Sequence, residues 1–197
     1  MTPLVRVTGP AARLPLANID TDIIFPARFL LITEKAGLGR YAFHDRADLA
    51  VPPGTAILVT GDNFGCGSSR EQAPWALADL GVRVLIGAGF GEIFAANCFK
   101  NGMLPIVLGP GELARVDAAV QAGAVIAVDL ETKEIAVADQ DSIRFSVEPA
   151  RREALLSGWD EIGRIRAGYA AQIASFEQRQ RAAVPWLWRA QQGSLNG

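Results

Sequence analysis

The residues best suited to chemistry lie in one stretch, Gly61-Asp62-Asn63-Phe64-Gly65-Cys66-Gly67-Ser68-Ser69-Arg70-Glu71. Its glycines let the backbone approach a ligand closely. The helix expected from Arg70 onward would add the partial positive charge of unpaired N–H groups, a setting that suits a carboxylate or a phosphate. Two nucleotide templates fail here. A P-loop requires Lys before Ser or Thr, whereas Gly67 precedes Ser68, and Arg70 occupies the place of the third glycine of a dinucleotide fingerprint. A purely structural reading also exists, because Ser68 to Glu71 fits a capping box, with one serine accepting from the helix start and the glutamate reaching back. That reading uses a single hydroxyl and leaves Arg70 without a task. Arg70 carries a planar fork able to grip a carboxylate in two parallel hydrogen bonds. Cap and anion site are compatible if only one of Ser68 and Ser69 caps.

Other chemistry-bearing residues are few. Asp22 closes the polar cluster Asn18-Ile19-Asp20-Thr21-Asp22, where it is either a site carboxylate or a turn residue ahead of Pro26. Arg28 could reach a second carboxylate or simply face solvent. His44 is the one histidine, which excludes mechanisms needing two imidazoles and reads as a surface or capping residue. The two cysteines, Cys66 and Cys98, form no Cys-x-x-Cys spacing, so no zinc or iron–sulfur ligand set is visible. Cys98, four residues after Phe94, reads as a small buried hydrophobe. A net charge of −2, with 19 basic and 21 acidic residues intermingled, offers no block for nucleic-acid phosphates. Met1 to Leu16 holds three prolines and no long apolar run, so neither signal peptide nor anchor is expected and the location implied is cytoplasmic.

The elements that must position these residues follow from apolar patterning. Ala56 to Val59, Val82 to Ile86 and Leu104 to Leu108 read as buried strands, separated by helices over Arg70 to Leu80 and Glu92 to Asn101, with Gly81 and Gly102 as stops. That alternation predicts an α/β fold with parallel neighbours, and ligands beyond the strands' carboxyl ends. A helix over Gly111 to Gln121, a hairpin of Ala124 to Leu130 and Glu134 to Ala138, and a strand at Ile143 to Val147 predict an antiparallel later part, hence a mixed sheet. Residues 1–50 read as loops around a short strand near Ile23 or Phe29. Beyond Arg151, Ile162, Ile165, Tyr169, Ile173 and Phe176 recur at helical spacing, predicting an amphipathic helix on the core, interrupted at Gly163 or Gly168. The aromatic end, Val184 to Trp188, either folds back or docks on another chain, with Trp186 and Trp188 as its anchors. One domain over residues 1–197, with residues 151–197 as a helical extension, and a single core are expected.

Three stretches in order resemble the small subunit of 3-isopropylmalate dehydratases, of the aconitase superfamily: Asn18 to Pro26, Asn63 to Glu71, and Ile93-Phe94 with Asn97 to Pro105. The second is also similar to the C-terminal swivel domain of aconitases. The resemblance implies a single swivelling β/β/α domain of aconitase C-terminal type and a hydro-lyase of leucine biosynthesis. It would interconvert 2-isopropylmalate and 3-isopropylmalate by dehydration and rehydration. It further implies a [4Fe-4S] cluster held by three cysteines of a separate large subunit, with which the chain forms a heterodimer or heterotetramer. By position in the motif, Ser68 would be the catalytic base, Ser69 and Arg70 would hold substrate carboxylate, and Asp22 and Arg28 would lie at the substrate. Phe29, Leu30, Leu31 and Ile32 would read its side chain. Their apolar character fits an alkyl group better than a third carboxylate. Gln72 stands where such sequences usually have His, and Ala88 to Glu92 is richer in glycine than usual. Related alkylmalates, 2,3-dimethylmalate or citramalate, therefore remain alternative substrates, and a non-enzymatic anion-binding module is the rival from another class.

Overall fold

The computed structural model describes residues 1–32, 34–67, 69–137 and 140–188. The chain divides into two units, Met1–Asp160 and Glu161–Gly197.

In the first unit the strands are β1 (Arg6–Gly9), β2 (Ala11–Leu14), β3 (Ile57–Thr60), β4 (Val84–Gly87), β5 (Leu104–Val107), β6 (Ile126–Asp129), β7 (Glu134–Val137) and β8 (Ile143–Arg144). The helices are α1 (Thr21–Ile24), α2 (Gln72–Asp79), α3 (Glu92–Lys100), α4 (Pro110–Gln121) and α5 (Pro149–Ser157), with short 3-10 turns at Ala27–Phe29, Leu38–Tyr41 and Ala47–Leu49. One sheet is parallel throughout, in the order β2-β3-β4-β5; the other is antiparallel, in the order β1-β6-β7-β8. The expected mixed α/β architecture is present, its two strand senses sorted into two sheets.

Period-two alternation decides where the strands send their side chains. Leu58 of β3 and Leu85 of β4 join a cluster with Leu77, Phe64 and Phe94, under α2 and α3. Ile57, Val59, Val84 and Ile86 point the other way, into a cluster with Ile126, Val128, Ile135 and Val116. Both faces of β3 and β4 are thus buried, which is why they read as continuous apolar runs. The apolar interior is two clusters with the parallel sheet between them, not the single core expected.

Residues 1–50 depart most from expectation. The two strands there, β1 and β2, precede the segment where a strand was expected. They are short edge strands of mixed polarity, with Arg13 of β2 ion-paired to Asp117 of α4. Ile23 and Ile24 are helical instead, because the Asp20 carboxylate accepts from the Ile23 amide at 2.7 Å and caps α1. Elsewhere the stops are as expected: Gly81 and Gly102 take φ of +105° and +75° after α2 and α3. The β6–β7 hairpin turns where Asp129 Oδ1 accepts from the amides of Glu131 and Thr132, each at 2.9 Å. Ala138, its expected last residue, lies outside the described residues.

The second unit contains α6 (Glu161–Gly168), α7 (Ala170–Ala183) and a 3-10 turn, Pro185–Trp188. The break falls at Gly168, as expected. Of the recurring apolar residues, Ile162, Ile165, Tyr169 and Phe176 are exposed and Ile173 is half-buried. Trp186 is exposed too, while Arg181 lies over the Trp188 ring, 4.6 Å from its centroid.

Candidate functional site

The glycine-rich loop leaves the carboxyl end of β3, and main-chain bonds tie it to the segments leaving β2 and β4. On one side Asn18 N–H donates to Asp62 O at 2.9 Å, Gly65 N–H to Ile19 O at 2.7 Å, and Thr21 N–H to Cys66 O at 3.0 Å. On the other, Phe64 N–H donates to Gly89 O at 3.1 Å, and Gly91 N–H to Phe64 O at 2.9 Å. Gly65 fits because it has no side chain: its φ is +74°, and a Cβ would sit 2.2 Å from the Phe94 ring. The glycines that suggested ligand approach therefore include one demanded by packing.

Zipping the loop to residues 18–21 brings Asp22 to Arg70, and their side chains form an ion pair. Ser69 and Arg70 open on a cleft of about 560 Å³ lined also by Leu30, Glu71, Trp75, Asn97 and Lys100. Ser68 lies outside the described residues. Among the described residues the loop makes no capping-box bond. Helix α2 begins at Gln72, so Glu71 is its N-cap and makes no side-chain cap bond. The Glu71 carboxylate instead accepts from Asn101 Nδ2 at 3.5 Å. Asn101 also takes Trp75 Nε1 at 3.0 Å and Lys35 Nζ at 3.1 Å, with Lys35 over the Trp75 ring. Sequence reading missed Lys35, Trp75 and Asn101 as a network, since three separate segments supply it.

Arg28 is placed differently. Its guanidinium forms a two-pronged pair with Asp45, donates toward His44 Nδ1 at 3.0 Å and lies over Phe29. The four apolar residues after it divide. Phe29 stacks on Tyr41 at 4.4 Å, Leu30 lines the cleft, Ile32 packs on the first apolar cluster, and Leu31 is 93% exposed. The Arg28 pairing pulls the Asp45 carboxyl from 3.8 down to about 2. A lowered carboxyl contributes to folding above its ordinary value and loses that contribution as pH falls toward 2. An NMR titration should show Asp45 near 2, and Arg28→Gln should return it toward 3.8.

Comparison with known proteins decides the family. The Aconitase C-terminal domain model matches residues 47–111. The 3-isopropylmalate dehydratase small subunit of Rhodospirillum centenum is 46% identical, covering 91% of this chain and 96% of its own length; that of Ruegeria sp. is 47% identical with the same coverage. The chain belongs to the 3-isopropylmalate dehydratase small-subunit family. A solved 3-isopropylmalate dehydratase structure from Methanocaldococcus jannaschii superposes with a TM-score of 0.68 at 25% identity, over 86% of this chain and 99% of that one.

Dehydratases of the aconitase family use an iron–sulfur cluster, and the described residues of this small subunit do not fit one. No group of three or more His, Cys, Asp or Glu among them could hold a metal. Cys98 is fully buried in the apolar cluster under α2 and α3, and burial pushes its thiol well above the usual range, which disfavours the thiolate a metal needs. In the folded protein a thiol reagent should modify Cys66 alone, with Cys98 reacting only after denaturation; rapid modification of both would contradict the burial.

Proposed function

We infer that this chain is the small subunit of a 3-isopropylmalate dehydratase, a hydro-lyase of leucine biosynthesis that works with a large subunit. The observation that carries the reading is the Ser69–Arg70 cleft at the carboxyl edge of the parallel sheet, in a chain of this family. Substrate loses a carbon-bound proton and the hydroxyl of the neighbouring carbon to give an unsaturated diacid and water. Adding water back with the hydroxyl on the other carbon completes the isomerisation.

Arg70 and Ser69 bind one substrate carboxylate, and Asp22 holds the guanidinium in place from the other side. Ser68 is the base by its position in the motif. Serine is a weak base, so its oxygen requires stabilisation by loop amides and by the charge of Arg70, the logic of an oxyanion site. Leu30 supports the substrate's alkyl group. The [4Fe-4S] cluster and the acid for the departing hydroxyl belong, in this reading, to the large subunit, and the pair works in the cytoplasm. Among the described residues no helix is long and apolar enough to cross a membrane.

Mixing this chain with its large subunit under anaerobic conditions, and following the ultraviolet absorbance of the unsaturated diacid, tests the reading. The mixture should act on 2-isopropylmalate in preference to smaller alkylmalates, and neither subunit should act alone. Ser68→Ala should lower turnover about a hundredfold or more. Full activity in that variant would remove Ser68 as the base.

A further inference from the structure

Asn101, the residue that follows α3, has its whole side chain engaged. Its Nδ2 donates to Asn97 O at 2.8 Å and to the Glu71 carboxylate at 3.5 Å, while its Oδ1 accepts from Trp75 Nε1 at 3.0 Å and from Lys35 Nζ at 3.1 Å. An amide offers two N–H donors and two lone pairs, so every position is taken. Lys35 also lies over the Trp75 ring, 4.5 Å from its centroid. Trp75 and Glu71 line the cleft beside Arg70, and so does Leu30, five residues before Lys35. We propose that Asn101 is a positioning residue: through Lys35 it sets the segment carrying Leu30 against the helix start carrying Arg70, and so sets the size of alkyl group the cleft accepts. The inference rests on the functional reading above.

A lysine stacked on a tryptophan is by itself an ordinary stabilising contact, and it needs no amide beneath it. Here the same segment is clasped to α2 twice. The Asp79 carboxylate, at the end of α2, accepts from the amides of Gly37 at 3.0 Å and Gly39 at 2.8 Å. Lys35 makes the other clasp at Trp75, in the first turn of α2 and at the cleft wall. Leu31, next to Leu30, is 93% exposed, so its side chain adds no packing that would hold Leu30 in place. Without Lys35 the stretch leading to Gly37 loses its tie to the cleft wall and Leu30 can shift, while Arg70 keeps its pairing with Asp22.

The test uses the reconstituted two-subunit enzyme and two competitive inhibitors that differ only in the alkyl group, isopropylsuccinate and methylsuccinate. Lys35→Met should weaken isopropylsuccinate about tenfold and methylsuccinate by no more than about twofold, the asymmetry of a loosened apolar pocket. Lys35→Arg, which keeps a donor and a cation over the ring, should bind both as the parent does. Asn101→Leu should shift the ratio of the two inhibition constants as Lys35→Met does, with an added loss common to both inhibitors from the released Glu71 side. The double variant should shift that ratio no further, because the two residues act as one unit. Lys35→Met alone decides the matter if Asn101→Leu does not fold. A ratio within about twofold of the parent in Lys35→Met, or additive shifts in the double variant, would overturn the proposal. In that case the parent enzyme is active and the functional reading stands; a parent pair inactive on every alkylmalate overturns both.

Discussion

Arg70→Lys in the reconstituted enzyme should lower kcat/KM by about a hundredfold, ~2.7 kcal/mol of transition-state stabilisation, although the positive charge is kept. The reason is geometric. Asp22 already engages one side of the guanidinium, so in the proposed function the fork bridges Asp22 and a substrate carboxylate with fixed directions at both ends. A lysine ammonium has three donors on one atom and cannot present two parallel bonds to a carboxylate while keeping Asp22. Asp22→Asn should therefore cost less than Arg70→Lys, because it loosens the fork without replacing it. Steady-state kinetics of the two variants check the order; an Arg70→Lys enzyme within about threefold of the parent would show that charge alone suffices.

Gly65→Ala should destabilise the fold by about 3 kcal/mol, seen as a lower urea midpoint at unchanged m-value. Two costs combine. The backbone sits at φ +74°, and the new Cβ would meet the Phe94 ring at 2.2 Å. Phe94 is only 2% exposed and packs edge-on against Phe64 with ring centroids 5.5 Å apart, so it has nowhere to retreat. Gly67→Ala is the internal comparison. Its φ of +91° is also unfavourable, but the nearest atom to an added Cβ is Asp20 Cβ at 3.6 Å, an ordinary contact. Only the backbone cost, about 1–2 kcal/mol, should appear there. Equal losses at the two positions would remove the packing argument.

The fold was legible where a local rule and the tertiary structure agree. Strands β3 and β4 are buried on both faces and β5 on one, all three read as apolar runs, and Gly81 and Gly102 stop their helices in the conformation that glycine allows. Strands β1 and β2 were illegible because Arg6–Gly9 and Ala11–Leu14 are edge strands, where partner strands far along the chain decide pairing, exposed positions carry Arg6 and Thr8 and a half-buried one carries Arg13. At the site, the loop and its arginine could be found because glycines, serines and an arginine lie together. The partners of those side chains could not. Arg28 chooses Asp45, Arg70 chooses Asp22, and Glu71 turns to Asn101, choices made in space between segments that spacing along the chain does not relate.

The frame that joins residues 18–21 to residues 62–66 consists mainly of peptide groups, joined by one side-chain bond from Asn63 Nδ2 to Asn18 Oδ1 at 2.8 Å. Peptide hydrogen bonds are indifferent to what hangs from the neighbouring Cα atoms, glycine positions apart. Leu30, Gln72 and Ile93 can therefore change and reshape the cleft while the frame carrying Arg70 stays in register. Such a scaffold allows substrate preference to drift by single substitutions without passing through an unfolded or inactive sequence.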